Sequence, residues 1–240
     1  MIRFLTLFVL FLCVAGLVAT RRAAAQDTSQ VRSSGVTWFL PPVAMASGTS
    51  VDFVPAWHEG LNDRLRSAMQ GWRTNGPMQG AGLHVDDWLQ YAPVASLFAA
   101  RLCGVAGAHG FGQQVWRSAL SYTLVFAVTQ PAKYGLVKLR PDGSAHNSFP
   151  SGHTATAFAG AELLRQEYGA RLPWLCVAGY AVATLTGVLR IYNNRHWLGD
   201  VVAGAGVGVL SVQLSYRLTD WFLARRQRPS AESQAFVPLL

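Results

Sequence analysis

From residue 86 onward the chain alternates long apolar runs with short polar junctions. The runs cover residues 88–108, 113–137, 151–168, 173–190 and 197–222. A helix needs about 20 apolar residues to cross the hydrocarbon core of a bilayer. Small residues recur within the runs, including Gly204, Gly206 and Gly208, as close helix packing in lipid requires. No strand-like alternation and no internal repeat interrupts the pattern. The expectation is an all-α integral membrane bundle of five spanning helices over residues 86–222, followed by a cytoplasmic tail over 223–240.

Upstream, Arg3 precedes an apolar run over residues 4–19, and Arg21, Arg22, Ala23, Ala24 and Ala25 follow. A basic start, an apolar core and an Ala-x-Ala ending describe a signal peptide over residues 1–25. An uncleaved signal anchor is the alternative, because Arg21 and Arg22 are unusual near a cleavage site. Residues 26–85 read as an extracytoplasmic linker. It opens polar, with Pro41-Pro42, and then carries an amphipathic stripe at Trp57, Leu61, Leu65, Met69 and Trp72. Such a helix lies flat among lipid headgroups or packs on the protein's own surface. The stretch from Gly71 to Gly82 reads as a loop. Asp86-Asp87 then precedes Trp88; paired acids invite a metal or acid/base reading, but at a helix start they cap exposed N–H groups, and capping is the expectation.

Composition supports a membrane setting. Apolar residues make up 51% of the 240 and charged residues 13%, about half the usual share of a soluble domain. The formal net charge is +8, and eighteen of the twenty basic residues are arginine. These arginines are scattered between apolar runs, which argues against a nucleic-acid partner. Cys13, Cys103 and Cys176 all lie in apolar runs without metal-type spacing, so neither a disulfide framework nor a zinc site is expected. If residue 85 is outside, the linkers with Arg117, Arg165 and Arg171 and the tail with Arg217, Arg225, Arg226 and Arg228 face the cytoplasm, as the positive-inside rule requires. The 133–153 and 190–200 junctions then share the outer side.

Those junctions hold the candidate chemistry. Lys133 is followed after six residues by Arg140-Pro141; Pro150-Ser151-Gly152-His153 opens a helix; Arg190 is followed after five residues by His196 and after three more by Asp200. Lys133, Arg140 and Arg190 supply fixed cations for a phosphoryl group, the arginines with forked donors. Ser151 and Gly152 sit at a helix start, where N–H groups and the helix dipole favour an anion. Asp200, four residues beyond His196, can fix the tautomer of that imidazole, which can then attack phosphorus. His153 can protonate the leaving oxygen and later serve as base for water. Glu162 is expected to pair with Arg165, and His146 is the remaining histidine closest in sequence to the pocket.

This string of motifs resembles the signature of the type-2 phosphatidic acid phosphatase superfamily, which includes lipid phosphatases, secreted bacterial acid phosphatases and vanadium haloperoxidases. The resemblance implies a helical fold and phosphate-ester hydrolysis without a metal or other cofactor. It makes His196 the nucleophile, Asp200 its orienting acid and His153 the general acid. Lys133, Arg140, Ser151, Gly152 and Arg190 then bind phosphate. One departure is Leu189, where the family usually has Ser; Asn193 or Asn194 is the expected replacement for the lost hydrogen bond. The segments around Asp86–Pro93, Arg140–Ser144 and Asn193–Leu198 resemble bacterial envelope members, some of which act on lipid A.

The reading that follows is a phosphatase in the bacterial inner membrane, acting at the periplasmic face on lipid A, undecaprenyl diphosphate or phosphatidylglycerol phosphate. Its partners are a phosphorylated lipid and the surrounding lipids, with no obligate protein partner. The alternatives are a secreted non-specific acid phosphatase, a vanadate-dependent haloperoxidase, and a non-enzymatic membrane protein that recognises phosphate.

Overall fold

The computed structural model describes residues 58–76 and 84–226, and every regular element in them is helical. The signal or anchor segment, the polar part of the linker with Trp57, Cys13 and the end of the tail lie outside the described residues. One π-helical turn, His58–Asn62, leads into α1 (Asp63–Asn75). It is followed by α2 (Asp86–Leu89), α3 (Ala92–Leu102), α4 (Phe111–Gly135), α5 (Gly152–Tyr168), α6 (Pro173–Tyr192) and α7 (Leu198–Arg226). The five expected apolar segments are each represented by a helix. The first is broken into α2 and α3, and α3 at 11 residues is only about 16 Å long. Among the described residues, α6 and α7 are long and apolar enough to cross a membrane by composition alone.

The centre of the bundle is α5, which packs against α3, α4, α6 and α7. Its sequence explains the position: Ala155, Ala157, Ala159 and Ala161 give it a thin waist, and all four are fully buried with Leu163 and Leu164. Glycine on α7 completes the fit. A Cβ on Gly204 would stand 2.5 Å from the Ser151 carbonyl, and one on Gly208 would collide with the Ala155 carbonyl. That close approach brings the start of α5 against the start of α7, where Ser151 N donates to Asp200 O at 3.0 Å.

The helix α4 is polar inside and apolar outside. Gln114, Arg117, Ser118, Ser121 and Thr129 are buried, whereas Phe111, Trp116 and Phe126 are exposed. Its inward Arg117 pairs with Asp220 of α7 at 2.6 Å. Further along the interior, Glu162 accepts from Arg165 Nε at 2.7 Å and Nη2 at 2.5 Å, the pairing expected from sequence.

The amphipathic segment docks through its polar groups, with Leu65 and Met69 half-buried. Its polar side faces the protein: Asn62 accepts from Gly199 N at 3.4 Å, Arg66 donates to Asn194 Oδ1 and Pro141 O at 2.9 Å each, and Gln70 donates to Tyr192 O at 3.2 Å. Leu61 and Trp72 remain exposed. The helix also runs beyond the expected loop start at Gly71, to Asn75, with Thr74 Oγ1 bonded to Gln70 O at 3.0 Å and the chain closed off by Gly76.

Candidate active site

Three junctions and α1 meet at one end of the bundle. The first is the turn between α6 and α7. Asn194, at φ 60, adopts the left-handed conformation that Asn tolerates, and the chain doubles back so that His196 N donates to Arg190 O at 3.4 Å. One turn into α7, Asp200 comes alongside. His196 is 2% exposed and Asp200 fully buried. His196 Nδ1 lies 3.5 Å from Asp200 Oδ2, a charge contact longer than an ordinary N–H···O bond. Burial pushes the His196 imidazole down to about 4; Asp200 pulls it upward, and Arg190 and Lys133 press it further down. At neutral pH the ring is therefore uncharged, with Nδ1 turned to the carboxylate.

Asp200 is held from three further directions. Lys138 Nζ donates to Oδ1 at 2.9 Å, Trp197 N donates to Oδ2 at 2.9 Å, and the Ser148 hydroxyl makes a short bond to Oδ2. Lys138 is nearly buried and stands over the rings of Phe149 and Trp197.

The second junction, between α4 and α5, supplies cations and a helix start. Lys133, in the last turn of α4, donates to Asn147 O at 3.1 Å, and Arg140 Nε donates to Asn147 Oδ1 at 3.0 Å. Asn147 thus seats both. Ser151 is the buried N-cap of α5, its hydroxyl 2.9 Å from Thr154 Oγ1. Beside Gly152 a Cβ would meet nothing nearer than Lys133 Cε at 3.7 Å, so packing alone does not demand glycine here, and the open backbone faces the lysine.

The third junction is α2, and here the structure departs from expectation. The N-cap of α2 is Val85, with no side-chain cap bond. The Asp86 and Asp87 carboxylates point instead into the site. Asp86 Oδ2 accepts from Arg190 Nη1 at 2.5 Å and Oδ1 accepts from Asn193 Nδ2 at 3.1 Å. Asp87 Oδ1 lies 3.0 Å from His153 Nε2 and 3.4 Å from Arg190 Nη1. The physical reason is that Arg190 is almost buried, and a buried cation needs a counter-charge more than a four-residue helix needs a cap.

Arg140, His153 and Arg190 share the wall of a cavity of about 470 Å³ with Asp86, Asp87, Asn193, His84, Arg73, Asp142 and Arg195. Lys133, Ser151, Gly152, His196 and Asp200 are not on that wall. They connect to it through the contacts above and through the charges of Arg190 and Lys133 felt at His196. His146 is exposed and off the wall, which His84 joins instead. Of the two expected replacements for serine at Leu189, Asn193 faces Asp86 and Asn194 turns to Arg66. Sequence reasoning passed over Lys138, Asn147 and Ser148. A signal for Lys138 existed, since Lys133 and Lys138 are the chain's two lysines.

Residues 114–224 match the family model of the PAP2 superfamily. Over that span the chain is similar to the PAP2 superfamily. A lipid A 1-phosphatase from Porphyromonas gingivalis is 46% identical over 137 residues, which is 57% of this chain and 31% of that relative; the chain thus spans about a third of the relative's length. In fold, it is similar to the crystal structure of a transmembrane PAP2-type phosphatidylglycerolphosphate phosphatase from Bacillus subtilis, with a TM-score of 0.53 and 18% identity, covering 76% of this chain and 97% of that one. The PAP2 span contains all three motifs but excludes Asp86, Asp87 and α1.

Proposed function

We propose that the protein is a membrane phosphatase that hydrolyses a lipid phosphate monoester or diphosphate through a phosphohistidine at the periplasmic face of the inner membrane. The observation that carries this reading is a buried, neutral His196 beside Asp200, bonded through its backbone to Arg190, which shares a cavity wall with Arg140 and His153. Lys133, Arg140 and Arg190, with the Ser151 hydroxyl and the Gly152 N–H at the opening of α5, hold the phosphoryl oxygens, the Ser151 N–H being committed to Asp200 O. His196 Nε2 attacks phosphorus while the bond to the leaving oxygen breaks, and His153 gives that oxygen a proton. Water then attacks the phosphohistidine, His153 takes its proton, and the P–N bond breaks to release phosphate.

Several features support the membrane setting. Large apolar side chains on the outside of α4, α6 and α7, including Trp116, Phe126, Val177, Leu185 and Phe222, are exposed, and apolar surface on this scale marks a face that meets lipid or another protein. We read all five segments as spans, with the catalytic junctions opposite the Arg117, Arg165 and Arg171 end. Lipid A is the first candidate substrate, in line with the 46% identical relative named for that activity; undecaprenyl diphosphate and phosphatidylglycerol phosphate follow.

The test is phosphate release from a panel of lipid phosphates in detergent with excess chelator, wild type against His196→Ala and Asp200→Asn. Activity should persist in chelator, and each substitution should lower turnover by about three orders of magnitude or more, because nucleophile and orienter act as a unit. Hydrolysis unchanged in His196→Ala would refute the reading, as would a strict Mg²⁺ requirement.

A further inference from the structure

Asp87 has no place in the chemistry assigned so far, and it lies outside the span matched to the PAP2 family. Its surroundings are specific. Arg190 Nη1 is already neutralised by Asp86 at 2.5 Å, so the Arg190 contact of Asp87 at 3.4 Å is secondary. The nearer partner is His153 Nε2 at 3.0 Å. The charged and titratable groups around this pair are Asp86 on α2, His84 at 3.7 Å from Asp87 Oδ2, Arg190 on α6, Arg140 on the shared cavity wall and Lys133 beside Gly152. Asp87 is about half exposed and His153 about 29%, and both border the cavity.

We propose that Asp87 is the positioning carboxylate of His153, giving the site a second histidine–carboxylate pair beside His196–Asp200. This rests on the phosphatase reading above. Nε2–H donates to Asp87 Oδ1, which fixes the ring and leaves Nδ1 for the reacting oxygens. In the first step the Nδ1 proton passes to the leaving oxygen while Nε2–H stays on Asp87. In the second, the attacking water returns a proton to Nδ1. Asp87 neither takes nor gives a proton in either step, and a carboxylate at this distance favours the protonated ring that must act as the acid.

The experiment compares wild type, Asp87→Asn and Asp87→Glu on phosphatidic acid in detergent micelles and on p-nitrophenyl phosphate, reading kcat/KM against pH. The poor alkoxide leaving group of the lipid needs the acid; the nitrophenolate does not. Asp87→Asn should lose about 10–100-fold on phosphatidic acid and less than about 3-fold on the aryl ester. The alkaline fall of the lipid profile should move to lower pH by about one unit, and Asp87→Glu should recover part of both effects. Equal losses on the two esters with an unmoved profile would reduce Asp87 to a structural role and overturn the proposal. A gain in activity or in tungstate affinity would also overturn it, since the carboxylate would then merely occupy the phosphate seat. A wild type that hydrolyses neither ester defeats the functional reading itself, whereas an active wild type indifferent to Asp87→Asn defeats only this inference.

Discussion

At His196, burial and neighbouring charge work against one another. Burial takes the ring down to about 4 although Asp200 stands 3.5 Å away. An exposed histidine titrates near about 6.5, so as pH falls the unfolded chain binds this proton before the folded one does. The contribution of His196 to stability is therefore fully present above about pH 6.5 and is lost as pH falls toward about 4. Thermal melts in detergent should show wild type losing stability relative to His196→Gln across that window, with the difference constant above it. Lys138 belongs to the same balance. It faces the fully buried Asp200 at 2.9 Å, and removing one member of such a pair strands the other charge. Lys138→Met should lower unfolding stability by about 3 kcal/mol, measured by denaturant titration in detergent; a change below about 0.5 kcal/mol would mean that Ser148 and Trp197 suffice to hold the carboxylate.

Among elements, the junction of α5 with α7 sets the site, because Ser151 N on Asp200 O ties the helix start to the acid. Gly208→Ala pushes a methyl group into the Ala155 carbonyl and should lower stability by about 1–3 kcal/mol, with a parallel loss of activity as the two helix starts separate. A melt unchanged by this substitution would contradict the packing. The α helices themselves were legible because apolar runs and polar junctions differ plainly along residues 113–222. The polar docking of α1 was not. A stripe such as Leu61, Leu65 and Trp72 announces an amphipathic helix, but which face meets the protein depends on what awaits it. Here that is the Asn194 amide and two backbone carbonyls, which suit Arg66 and Gln70. The fate of Asp86 and Asp87 was hidden for the same reason: their partner Arg190 is more than a hundred residues away.

Among the described residues, polar groups such as Gln114, Arg117, Glu162 and Gln213 share the interior with an apolar core, while large apolar side chains such as Trp116, Phe126 and Phe222 stay outside. The 133–153 and 190–200 junctions could be assigned to one end from alternation of the segments, whereas Asn147 and Ser148 could not be singled out from a polar loop without seeing what they touch. Phosphoryl transfer at this site depends on these distant stretches holding a single anion together. A structure of the protein with bound tungstate tests that most directly. The expected result is the tungsten atom within covalent reach of His196 Nε2, its oxygens on Lys133, Arg140 and Arg190, and His153 on the opposite side. Tungstate bound elsewhere, or seated among the arginines with His196 out of reach, would contradict it.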